Sequence, residues 1–117
     1  MTLANETPAR STAVIVLFGG NPHRRQEVMQ LLAALGPFTV FGSLSEAEGM
    51  ELLRTLPAVD LVLIGGRYSE EQRQRIRAYV HDKLPRAKIS EPGHAYPYEN
   101  SAIAADVARK IGLDLPR

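Results

Sequence analysis

The sequence predicts one α/β domain of three layers: a mostly parallel four-stranded sheet of order 2-1-3-4, with helices on both faces. Three observations lead there. Two runs, Ala13–Phe18 and Leu61–Ile64, are apolar at every position, as in strands buried on both faces of a parallel sheet. Each run ends at a glycine pair, Gly19-Gly20 and Gly65-Gly66. Apolar residues at helical spacing then follow each run, and alternating strands and helices imply parallel strands joined by right-handed crossovers.

Residues 1–11 are polar and without periodicity, as in a flexible tail ahead of a single domain over 12–117. After the first strand, Asn21 suits an N-cap and Pro22 a first helical turn. Val28, Leu31, Leu32 and Leu35 make one helix face, which Gly36 and Pro37 stop. Phe38–Phe41 is a short second strand. Ser45-Glu46-Ala47-Glu48 has the pattern of a reciprocal N-terminal cap. It opens a helix with Met50, Leu53 and Leu56 inward, ending before Pro57. Ser69-Glu70-Glu71-Gln72 repeats that pattern after the third strand. The helix it opens turns Ile76, Val80 and Leu84 inward, sets Arg73, Arg75 and Arg77 largely outward, and closes at Pro85. Ala87–Ser90 is a short fourth strand, whose Lys88 suits an exposed edge. Residues 91–100 form an irregular loop. Asn100 or Ser101 caps a last helix, with Ile103, Val107 and Ile111 inward and Gly112 at its end. The two most apolar strands, first and third, belong in the centre.

Composition narrows the function classes. A chain of 117 residues suits one domain, burying roughly two-thirds of its unfolded surface. It has no cysteine, which excludes disulfides, thiolate metal sites and thiol catalysis and fits a reducing compartment. Lys plus Arg is 14 and Asp plus Glu is 13, and a net charge of +1 gives no case for nucleic acid or an acidic membrane. The apolar run from Ala13 to Phe18 is too short to span a bilayer. The first residues lack a signal-peptide pattern, so a cytoplasmic location is expected.

The segment Val59-Asp60-Leu61-Val62-Leu63-Ile64-Gly65 resembles the apolar third strand of a response-regulator receiver. More broadly, Ala13 to Pro85 resembles a receiver domain of the flavodoxin-like type. The resemblance implies a phosphorylated aspartate where Gly65 stands and a magnesium-binding acidic pair where Gly19 and Gly20 stand. It implies a hydroxyl near Ser90 and a fifth strand carrying a lysine. Aspartyl-phosphate chemistry needs a carboxylate nucleophile and a metal held by further carboxylates. Glycines replace them, and the fifth strand is expected to be missing. The resemblance therefore implies a degenerate receiver: a non-catalytic interaction or signalling module, not phosphorylated on aspartate, with no metal and no cofactor. Cobalamin-binding domains share this fold and use histidine, Ser-x-Leu and Gly-Gly elements. His23, Ser43-Leu44-Ser45 and Gly65-Gly66 are present here, but the aspartate before the histidine is missing and the spacings are too short.

In open α/β sheets, ligands bind beyond the carboxyl ends of the strands, where the connections diverge. That point lies between the first and third strands. The candidate ligand residues are Gly19, Gly20, Asn21, His23, Gly65, Gly66, Arg67 and Tyr68. Helix starts there offer N–H groups to an anion. Arg67 suits a phosphate or carboxylate, and Tyr68 a ring. This is the alternative function: a small anionic-ligand binder for phosphate, nucleotide or carboxylate. Against it, tight strand-to-helix turns use glycine in any case. His23 and His94 lack a third ligand at metal spacing, and His81 falls on a helix surface. Ser45 and Ser69 suit caps rather than nucleophiles. The candidate interface residues are Lys88, Ser90, His94, Tyr96 and Tyr98. They suit a homodimer or protein partner at the fourth-strand edge and loop 91–100, or a loop folded over its own edge.

Overall fold

The two wholly apolar runs are neighbours in the sheet. In the computed structural model, which describes residues 13–112, β1 (Ala13–Phe18) pairs in parallel with β3 (Leu61–Ile64). β2 (Phe38–Ser43) lies on the far side of β1, and β4 (Lys88–Ser90) on the far side of β3. The sheet is parallel throughout, in the order β2-β1-β3-β4. The helices are α1 (Pro22–Leu35), α2 (Glu46–Thr55), α3 (Glu70–Lys83) and α4 (Asn100–Ile111). The expected tail at 1–11 lies outside the described residues.

Side chains alternate across a strand, so each central strand serves two cores. Val16, Phe18, Val62 and Ile64 pack with Leu53 of α2 and with Ile76 and Val80 of α3. On the opposite face, Ile15, Leu17, Leu61 and Leu63 pack with residues of α1 and α4, among them Leu32 and Val107. Burial on both faces is why neither run alternates in polarity. Full burial of each such side chain contributes about 1.5–3 kcal/mol. The result is a flavodoxin-like three-layer arrangement. Among the described residues there is no fifth strand: the chain runs from β4 through residues 91–99 into α4.

Local signals largely hold, with four corrections. Asn21 caps α1 by accepting from His23 and Arg24 N–H. Ser69 and Gln72 complete the reciprocal cap of α3. At α2 the pattern is half used. Ser45 accepts from Glu48 N–H, but the Glu48 carboxylate reaches Leu44 N–H at 2.7 Å, one residue before the cap. At α4, neither Asn100 nor Ser101 is the cap. Glu99 holds that position without a side-chain bond, and Asn100 instead accepts from Arg24. β2 extends past Phe41, because Gly42 and Ser43 stay in register with Leu17 and Phe18. The third helix also does not turn all three arginines outward: Arg73 is 2% exposed.

No helix among the described residues is long and apolar enough to cross a membrane.

Candidate functional site

The carboxyl ends of β1 and β3 meet at Gly19 and Gly65. Gly65 N–H donates to the Phe18 carbonyl at 2.8 Å, and Gly19 N–H to the Ser43 carbonyl at 3.0 Å. A Cβ on Gly65 would stand 2.9 Å from the Phe18 carbonyl oxygen, closer than side chains come to backbone. Close approach of two chain segments therefore accounts for this glycine.

Tyr68 closes the crevice from above. It is 8% exposed, and its ring meets Phe18 edge-on, with centroids 5.9 Å apart at 89°. Its hydroxyl donates to the Gly19 carbonyl at 3.0 Å. Burial pushes the hydroxyl pKa up to about 12, and the charges of Glu46 and Glu48 push it the same way. The expected stacking face is thus already used inside the fold.

Arg73 closes the crevice from α3. Its Nε donates to the Tyr68 carbonyl at 3.1 Å and its Nη2 to the Gly65 carbonyl at 2.9 Å. Its Nη1 reaches Glu91 Oε1 at 2.8 Å. Arg77 grips the same carboxylate through Nε and Nη2, each at 2.9 Å. Burial would raise the Glu91 pKa. The hydrogen bonds from Arg77 and Arg73 outweigh it and hold the carboxyl below its ordinary value. The β3–α3 turn is thereby tied to the chain leaving β4. Sequence reasoning missed Arg73, although the signal was present: it shares one helix face with Ile76 and Val80.

The helix starts are mostly self-satisfied. Pro22 has no N–H, and those of His23 and Arg24 go to Asn21 Oδ1 at 2.9 and 3.1 Å. At α3, Ser69 takes the Gln72 and Arg73 N–H groups. Glu70 and Glu71 add negative charge to that first turn. The His23 side chain is exposed. Gly20 and Arg67 are exposed together, the Arg67 Cδ standing 3.5 Å from where a Gly20 Cβ would be. They border a shallow pocket of about 340 Å³ with Leu44, Ser45, Glu46 and Gln72. Arg67 has no ion-pair partner among the described residues.

The candidate interface residues divide. Lys88 and His94 are exposed, and His94 Nε2 lies 3.1 Å from Arg77 Nη2. Ser90 is wholly buried and therefore presents no surface. Its hydroxyl donates to Asp106 Oδ2 at 2.6 Å and meets the Tyr96 hydroxyl at 2.7 Å. Asp106 is held in turn by Arg109 and Lys110. Tyr98 is half-buried, with the Arg24 guanidinium 4.7 Å above its ring centre and Gly66 at its edge. Loop 91–100 therefore folds back onto its own chain. A parallel bridge between Pro92 and Tyr96 closes it further.

Among the described residues, no three His, Cys, Asp or Glu side chains gather where they could hold a metal ion. The class this architecture defines is the flavodoxin-like three-layer α/β domain. A scan against protein-family models and searches of curated proteins and of solved structures found no match.

Proposed function

We propose that the chain is a non-catalytic interaction module of receiver-like build, not phosphorylated on aspartate. One observation carries this reading. Two carbonyls at the crevice between β1 and β3 are bonded by the protein's own side chains, Tyr68 on Gly19 and Arg73 on Gly65. The nearby carboxylates are also engaged: Glu91 by two arginines, and Glu46 by Arg75 through bonds of 2.6 and 2.7 Å. Among the described residues, no nucleophile and base face each other there. The partner is a protein, either another chain or a second copy, met through a surface rather than the crevice.

A second reading rests on Arg67. A guanidinium without an ion-pair partner among the described residues, beside Gly20 at the rim of a pocket of about 340 Å³, suits a phosphate or carboxylate. Thermal unfolding with added inorganic phosphate, nucleotides and small carboxylates separates the two. The interaction reading expects no shift with any of them. A ligand at 100 times its dissociation constant adds about 2.7 kcal/mol. A shift of that kind, abolished by Arg67→Ala, overturns the interaction reading in favour of ligand binding.

A further inference from the structure

We propose that the open edge of β2 is a self-association surface, where a second copy pairs antiparallel about a two-fold axis through Phe41. The inference deepens the interaction reading by naming one partner.

Ser43 gives its carbonyl to Gly19, so Ser43 faces β1. Backbone groups alternate along a strand, so Thr39 and Phe41 face β1 as well. Phe38, Val40 and Gly42 then face outward. The Phe38 N–H is taken by the Gly36 carbonyl at 2.8 Å. Val40 and Gly42 keep both an outward donor and an outward acceptor, with no strand beyond them among the described residues.

Natural edges are blunted by lysine, proline, bulges or shortness. β4 is blunted in this way. It is 3 residues long. Lys88 faces β3, so Ile89 alone faces out, and its carbonyl accepts from Lys110 Nζ at 2.7 Å. β2 is not. It is 6 residues long, and residues 38–45 contain no charge and no proline. Phe41 belongs to neither core cluster, and Leu44, just past the strand, is 37% exposed.

The edge is also self-complementary. With the axis at Phe41, Val40 of each copy lies opposite Gly42 of the other. Each such pair exchanges both backbone bonds, and the Phe41 rings meet across the axis. Val40 faces a residue with no side chain of its own. Over Gly42 lie Met29 and Arg25, their Sδ and Cδ 2.6 and 3.1 Å from its Cβ position. The Arg25 Nε is buried without a partner, alone in this among the described residues. Unpaired buried donors are rare, and this one lies at the same edge. Stable interfaces bury about 1,200–2,000 Å² in total. The α1 side chains Arg25 and Met29 must therefore join the strands in the contact.

Sedimentation equilibrium and amide hydrogen exchange on the full chain test this together. The expected result is a reversible dimer in which Val40 and Gly42 amides gain protection as concentration rises. Phe41→Lys sets two like charges across the axis and should weaken association on the order of tenfold or more. Thr39→Lys, at an exposed position opposite Ser43 of the other copy, puts a charge on the paired edge and serves if Phe41→Lys does not fold. A monomer at millimolar concentration overturns the proposal. So does a dimer in which the folded variants associate normally and Val40 and Gly42 exchange unprotected. Ligand binding in the crevice would overturn the reading of the site and leave this dimer untouched.

Discussion

The Tyr68 hydroxyl donates to the Gly19 carbonyl at 3.0 Å, joining the turn after β3 to the turn after β1. One bond thus ties together the two loops that would flank a ligand. Tyr68→Phe keeps the ring against Phe18 and deletes only that bond, so it should cost about 1 kcal/mol at neutral pH. The folded pKa of Tyr68 is raised from 10.0 to about 12. A raised pKa means stability that is complete below the unfolded value and lost as pH climbs through the folded one. The wild type should therefore lose stability between pH 10.0 and about 12 more steeply than Tyr68→Phe. Urea unfolding of both proteins across that range measures the difference. Parallel curves would show that Tyr68 is not buried as described.

Arg73 is expected to matter more. Arg73→Met keeps an apolar stem but leaves the Gly65 and Tyr68 carbonyls and part of Glu91 without a donor. Breaking a buried ion pair from one side costs about 3–5 kcal/mol. Because Arg77 still holds Glu91, the lower end applies. Equilibrium urea denaturation should give a loss of about 3 kcal/mol. A loss below about 1 kcal/mol, the size of a single ordinary hydrogen bond, contradicts the described network.

Glu91 sets the acid side. Its folded pKa lies below the ordinary 4.5. A depressed carboxylate pKa means stability that is present above the unfolded value and lost as pH falls through the folded one. Stability of the wild type should therefore decline below pH 4.5. Glu91→Gln should flatten that decline, because the amide does not titrate. Denaturation curves collected from neutral to acid pH show whether the slopes differ, and identical slopes refute the assignment.

The fold was legible because its signals were local. Two unbroken apolar runs, each ending in glycine, marked the sheet centre, and Asn21, Ser69 and Gln72 marked helix starts. The site was less legible because its key bonds are long-range. Arg73 shares the inner helix face with Ile76 and Val80, but what its guanidinium bonds is set only when the Gly65 carbonyl, 8 residues away, comes within 2.9 Å. Ser90 and Asp106, 16 residues apart, meet only when α4 returns across β4. The β2 edge was hidden for another reason. Gly42 weakens a strand on its own, and pairing with Leu17 is what carries the strand through it.

The central proposal is that, among the described residues, the crevice between β1 and β3 holds no phosphate-accepting carboxylate. Intact-mass measurement after incubation with acetyl phosphate and magnesium tests it most directly. The mass of the wild type should not change. It should not change for Gly65→Asp either, since a Cβ there would stand 2.9 Å from the Phe18 carbonyl oxygen and force the two strands' turns apart. Gain of a phosphoryl group on the wild-type chain, mapped to an aspartate or glutamate at this end of the sheet, would contradict the account.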